Sequence, residues 1–115
     1  MRQVVSRHSA GAPLTEPVFL ILLSLAEAPR HGYALMKDIE SLSAGRVRLS
    51  TGTLYGALKR LLEDGSIERI DLKDTTREKQ SYRLTRFGRE QLQVESARVQ
   101  QLARAAAFRL RAKEA

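Results

Sequence analysis

The stretch Ser50-Thr51-Gly52-Thr53-Leu54-Tyr55-Gly56-Ala57-Leu58-Lys59-Arg60-Leu61-Leu62-Glu63 decides the fold. Leu54, Leu58, Leu61 and Leu62 recur at i, i+4, i+7 and i+8, which is the spacing of one helical face. Ser50 is a good N-cap and Gly65 a good stop, so a helix is predicted between them. At about 100° per residue, Gly52, Gly56, Lys59 and Glu63 fall opposite the leucines, with Thr53, Tyr55 and Arg60 beside them. Most of that face suits a polyanion: glycines let another backbone come close, hydroxyls reach phosphates or base edges, and Lys59 and Arg60 add charge. Glu63 is the misfit and is expected to lie beyond the contact. The unpaired amides around Thr51, Gly52 and Thr53 form a positive dipole end where a phosphate can dock.

Working back from this helix, Leu35, Met36, Ile39 and Leu42 fall at helical spacing while Lys37, Asp38 and Glu40 face away, which predicts a helix from about Gly32 to Leu42, closed by Gly45. Further upstream, Thr15 as N-cap, Glu16 in the first turn and Pro17 announce another helix, ending before Pro29. Its run Val18 to Leu23 is apolar on every side, which predicts burial between two partners and so a second chain, with Val18 and Leu22 at the interface. Met1 to Ala12 holds too few large apolar residues to repay the entropy of ordering, and residues 1–13 are expected to be a loose tail.

Downstream of Gly65 the period changes. Ile67 to Leu72 and Gln80 to Thr85 predict a β-hairpin joined by the charged stretch from Lys73 to Lys79. From Arg86 onward the composition is that of one helix of roughly 25 residues. Leu92, Ser96, Val99, Ala103, Ala106 and Leu110 alternate spacings of four and three, a seam that asks for a partner helix. The predicted fold class is therefore mainly α with a small β-hairpin (α+β): a winged helix-turn-helix domain over residues 14–85, then a dimerisation helix over residues 86–115.

Composition sets the outer limits. The chain has 115 residues with no Cys and no Trp, so one small domain is expected, without disulfides, thiolate nucleophiles or Cys-ligated metals. The longest apolar run is under half of the ~20 residues a membrane span needs, and no secretory signal pattern appears, so no membrane partner and a cytoplasmic location are expected. The formal charge of +7 suggests polyanionic partners, yet it is unevenly spread: residues 14–85 carry only +1, whereas residues 41–62 hold Arg46, Arg48, Lys59 and Arg60 with no acid. His8 and His31 lack nucleophile or metal-ligand neighbours, and no phosphate loop occurs, so neither enzyme activity, metal nor cofactor is expected.

Three blocks in this order, His31-Gly32-Tyr33, then Ser50-Thr51-Gly52-Thr53-Leu54-Tyr55 with Leu58-Lys59-Arg60-Leu61, then Tyr82-Arg83-Leu84-Thr85 with Gly88, resemble the PadR family of bacterial transcriptional regulators. The resemblance runs from about Leu14 to Leu92. It implies a homodimeric winged-helix repressor, commonly of detoxification, stress or efflux genes, and the single C-terminal helix resembles the short branch in which that helix makes the dimer. The chain departs from the family pattern at Thr51, where Pro is common, at Gly56, where Pro or Arg is common, and at Ser81, where an aromatic is common. Some relatives hold flat aromatic ligands against a Trp in the dimer helix, and this chain has none.

The expected DNA-contacting residues are His31, Tyr33, Arg46, Arg48, Thr51, Gly52, Thr53, Tyr55, Lys59, Arg60, Arg77 and Lys79, with double-stranded DNA carrying a palindromic operator as the partner. Alternatives stay open at this point: Tyr33 packing into the core, His31 only capping a turn, Arg46 and Arg48 as simple solvated charges, and the C-terminal seam closing on its own domain, which would leave one apolar side of the first helix exposed. The expected dimerisation residues are Val18, Leu22, Leu92, Val99, Ala103, Ala106 and Leu110. A small-molecule effector would act at the dimer interface by changing the spacing of the reading helices. The competing function is a winged-helix module that binds a protein through the apolar first helix and the C-terminal seam; outward Thr53, Tyr55, Lys59 and Arg60 speak against it.

Overall fold

The computed structural model describes residues 11–70 and 80–114. The elements run α1 (Glu16–Glu27), β1 (Arg30–His31), α2 (Gly32–Leu42), α3 (Thr51–Glu63), β2 (Ile67–Ile70), β3 (Ser81–Leu84) and α4 (Arg86–Glu114). Local chemistry sets the helix starts: the Thr15 hydroxyl accepts from the Val18 amide, and the Ser50 hydroxyl accepts from the Thr53 amide at 3.1 Å. The turn between α2 and α3 needs the left-handed region at Ala44 (φ 56°) and Gly45 (φ 82°). Ser43 knits it from inside, its hydroxyl donating to the Glu40 carbonyl and accepting from the Val47 amide at 2.9 Å.

The sheet has the order β1-β3-β2, antiparallel throughout, with Arg30 opposite Tyr82 on one side and Ile67 opposite Leu84 on the other. The hairpin of β2 and β3 agrees with the sequence pattern, whereas β1 is not foreshadowed by it, since two residues carry no period. The core gathers Leu20, Ile21, Leu22 and Leu25 of α1 with Leu35, Ile39, Leu54, Leu58, Leu61, Ile67, Tyr82, Leu84 and Leu92.

Helix α1 corrects one expectation. It packs on α2, β3 and α4 of its own chain, so most of its apolar surface is covered within one copy. Leu22 is fully buried, Leu92 is buried beside it in the same core, and Val18 is half-buried against that core, lining a cleft with Ala57 and Leu61. Leu22 and Leu92 serve the interior of one copy, whereas Val18 keeps part of its surface open. The residues of α1 left outward are Phe19, half-buried, and Leu23, 36% exposed. They border an open groove against Leu92, Ser96 and Ala97 of α4.

The body is tied to α4 at Ser66, which is fully buried. Its carbonyl accepts from the Thr85 amide at 3.1 Å, while the Thr85 hydroxyl donates to the neighbouring Gly65 carbonyl at 2.6 Å with the Ser66 carbonyl 3.0 Å away, and the Ser66 hydroxyl donates to Gln91 Oε1 at 2.5 Å. Thr85 in turn caps α4 by accepting from the Gly88 amide at 3.0 Å. Further along α4, the buried Glu95 carboxylate accepts from the Leu14 amide at 3.3 Å and from Arg98 Nη2 at 2.6 Å. The Arg98 bond, helped by the Leu14 amide and opposed by burial, holds the Glu95 carboxyl below the usual carboxylate range. Its contribution to stability is thus complete at neutral pH and fades as pH falls through that lowered value.

Beyond Arg98 the helix leaves the body: every residue from Val99 to Ala112 is exposed. At 29 residues α4 spans about 43 Å.

Gly88 makes the junction with Ser66 attainable, because a Cβ there would lie 2.0 Å from the Ser66 carbonyl oxygen, a backbone atom that cannot step aside. Gly88→Ala is expected to destabilise the fold by about 1–3 kcal/mol, although alanine is the better helix former. Urea denaturation measures it, and an unchanged midpoint would contradict the close approach.

Candidate nucleic-acid interface

Helix α3 buries Leu54, Ala57, Leu58 and Leu61, which leaves Thr51, Gly52, Thr53, Tyr55, Gly56, Lys59 and Arg60 together on its exposed side. A Cβ added at Gly52 or Gly56 would meet nothing within 4 Å. Glycine in a helix costs about 0.5–1 kcal/mol relative to alanine, so two of them on one open face are a cost that the fold itself does not require. Ser50 is fully used as the cap, its hydroxyl also donating to Thr53 Oγ1 at 3.0 Å.

Tyr33 stands on the first turn of α2 and is 66% exposed, with the Lys37 ammonium 5.9 Å from its ring centre. The core-packed alternative for Tyr33 is thereby removed. His31 is half-buried at the N-cap of α2, and its side chain makes no bond to the helix start. Across the sheet it faces Ser81, whose buried hydroxyl has no partner among the described residues. Tyr55 is 44% exposed and reaches from α3 to the start of α2, where a Cβ on Gly32 would lie 2.1 Å from its hydroxyl. The structure therefore brings Tyr33, Tyr55 and the exposed side of α3 together.

Charge is less freely available than the sequence implies. Arg46 is engaged by both carboxylate oxygens of Glu16, with Nη1 donating to Oε1 at 3.0 Å, and this bond holds the Glu16 carboxyl below its ordinary range. Arg48 pairs with Glu40 at 3.3 Å. The acid-free window 41–62 is thus neutralised in part by acids that α1 and α2 carry to it, which corrects the expectation of an uncompensated local charge. Lys59 has only a loose approach to Glu63 at 3.9 Å, and Arg60 enters no ion pair among the described residues. Arg77 and Lys79 lie outside the described residues, as do most of the tail and the hairpin tip.

Of the dimerisation set, Val99, Ala103, Ala106 and Leu110 are exposed along the outer part of α4, joined by Leu102 and Phe108. Sequence periodicity misses Phe19 and Leu23; once α2, α3 and the wing are given their shares of α1, those two are the apolar residues left over. No helix among the described residues is long and apolar enough to cross a membrane, and no group of three or more His, Asp or Glu side chains is placed to hold a metal.

Three helices, a strand-paired wing and an exposed third helix rich in small and basic residues define a winged helix-turn-helix protein. Residues 21–94 match the Transcriptional regulator PadR-like family, and the chain belongs to that family of DNA-binding transcription regulators, which are not enzymes. Among solved structures it is similar to a PadR family transcription regulator from Clostridium difficile R20291, with TM-score 0.68, 22% identity, and coverage of 81% of this chain and 96% of that one. It is also similar to Bacillus subtilis PadR in complex with operator DNA, with TM-score 0.60, 24% identity, and coverage of 70% of this chain and 46% of that one. An uncharacterized 37.1 kDa protein in transposon TN4556 of Streptomyces fradiae is 40% identical over 77 residues, 67% of this chain. The chain spans 21% of that curated relative's length.

Gly56→Ala is expected to raise the stability of the free protein by about 0.5–1 kcal/mol, the reverse of the Gly88 result. Thermal or urea unfolding reads the sign. A loss of stability would mean that Gly56 is needed by the fold after all.

Proposed function

We propose that the chain is a sequence-specific DNA-binding regulator that acts as a homodimeric repressor, with the α3 helices of two copies in successive major grooves of a roughly palindromic operator. The observation that carries this reading is the exposed side of α3, where Gly52 and Gly56 have nothing against them while Thr51, Thr53, Tyr55, Lys59 and Arg60 stand beside them. A helix that enters a groove gains from missing side chains at its closest approach and from hydroxyl and basic groups at the edges. Tyr33, His31 and the first turn of α2 flank one backbone strand. Arg46 and Arg48 contribute less, because each exchanges a carboxylate for a phosphate in order to bind.

Dimerisation draws support from the outer half of α4. A lone helix of this length in water is marginal, and this one exposes Val99, Leu102, Phe108 and Leu110. A second copy covers them, with Phe19 and Leu23 bordering the groove that receives it. Residues 86–115 are then the dimerisation element of a winged-helix domain over residues 14–85. A small molecule at that interface would regulate by changing the distance between the two α3 helices.

Two variants test the two halves of the proposal. Lys59→Glu with Arg60→Glu is expected to abolish retardation of a fragment carrying the chain's own promoter in a gel shift, while thermal unfolding stays close to wild type; undiminished retardation would sink α3 as the reader. Leu110→Glu with Val99→Glu is expected to give a monomer in analytical ultracentrifugation and to weaken operator binding by about tenfold or more, because one half-site is lost. A dimer that survives both charges would place the interface elsewhere.

A further inference from the structure

Arg69 falls outside every group of residues considered above. It lies exposed on β2, directly across the sheet register from Tyr82 of β3. Tyr82 is buried, and the antiparallel register sets its side chain on the same face of the sheet as Arg69; burial and the Tyr55 phenol raise the Tyr82 phenol above its ordinary range, with the Arg69 guanidinium opposing them. Tyr55 in turn sets its hydroxyl against Gly32, the first residue of α2. A continuous row thus runs from β2 through β3 and α3 to the start of α2: Arg69, Tyr82, Tyr55, Gly32. Among the described residues no acid interrupts it. Glu68, the sequence neighbour of Arg69, is turned to Arg83 at 2.7 Å, and Arg69 enters no ion pair among the described residues. Arg46 and Arg48 are already paired and Lys59 lies 3.9 Å from Glu63, whereas Arg69 and Arg60 enter no ion pair among the described residues.

We propose that Arg69 is a DNA-backbone ligand: with the Tyr55 hydroxyl it lines the path of one strand past the start of α2, and Tyr82 is the positioning residue that holds its guanidinium. This rests on the DNA-binding reading above and adds a contact from the base of the wing. The chemistry matches a phosphodiester. A guanidinium presents a planar fork of donors, a phenol presents one more, and the uncapped amides of α2 contribute the positive end of its dipole. A contact of this kind carries no sequence information, but it fixes how deep and in what register α3 sits in the groove. The burial of Tyr82 gives the hold its rigidity, since an exposed arginine alone would lose rotamer entropy on binding.

The test is a fluorescence-anisotropy titration of a labelled mixed-sequence duplex over a salt series, with wild type, Arg69→Ala, Arg69→Lys and Tyr82→Phe. Arg69→Ala is expected to weaken binding about tenfold at low salt, to the same extent on unrelated sequences, and to flatten the plot of log K against log salt by about 0.9 for each copy of Arg69 that loses a phosphate. Arg69→Lys keeps the slope and loses part of the affinity. Tyr82→Phe keeps the slope and loses less affinity than Arg69→Ala. A wild-type slope in Arg69→Ala, whatever its affinity, overturns the backbone contact, and Tyr82→Phe indistinguishable from wild type overturns the positioning role. A wild-type protein that leaves the duplex free at low salt overturns the DNA-binding reading itself, which is a different failure from that of Arg69.

Discussion

The Ser66 carbonyl is the point on which the rest of the structure depends. It lies three residues past the end of α3 and takes the amide of Thr85, the residue that caps α4, whose hydroxyl donates to the adjoining Gly65 carbonyl. One buried acceptor therefore joins the end of the candidate reading helix to the beginning of the longest helix. Gln91 closes the same junction from further along α4 by accepting from the Ser66 hydroxyl, and Gly88 lets the two backbones meet. Buried carbonyl and hydroxyl groups paired in this way are costly to leave unmade, so the turn after α3 is held to the start of α4 by hydrogen bonding as well as by the packing of leucines.

Electrostatics narrows the surface further. The formal charge of +7 and the acid-free window from residue 41 to 62 both overstate what the folded chain offers, because folding carries Glu16 to Arg46 and Glu40 to Arg48. Those pairs are exposed and are worth little to stability. Their larger effect is to separate cations that are occupied from those that are not, so Arg60 and Arg69, with Lys59 only loosely approached by Glu63, remain on the side where α2, α3 and the wing converge.

The sequence is most legible where the determinants are local. Thr15, Ser50 and Gly65 act within a turn of the element they bound, so the three helices and their ends can be read directly. The outward side of α3 is legible for the same reason, since four leucines at fixed spacing define the opposite face without reference to anything else. What escapes is everything that depends on which element meets which. The strand β1 is two residues long and exists only by pairing with β3. Periodicity assigns Leu22 and Leu92 to a second chain because it reports that a face is apolar and not whose apolar surface covers it. Arg46 and Arg48 look free in the sequence because their partners lie far away in the chain, and Arg69 does not stand out there because its significance comes from Tyr82 and Tyr55, which only the sheet register and the α3 crossing bring to it.

The glycines bring these threads together. Gly88 and Gly52 sit on helices, where glycine is disfavoured to a similar degree, yet the reasons for them differ in kind. Around Gly88 the space that a Cβ would need is filled by the chain's own backbone, and the cost of glycine is returned by the Ser66 junction. Around Gly52 and Gly56 the space is empty, so within the free protein nothing offsets the cost. A local choice that opposes the stability of its own element without serving the packing is the mark of a constraint imposed from outside the chain. Because the open space adjoins Thr53, Tyr55, Lys59 and Arg60 and lies opposite a face of buried leucines, it suits a polar, anionic surface that comes down to a helix backbone, as the proposed nucleic-acid groove would.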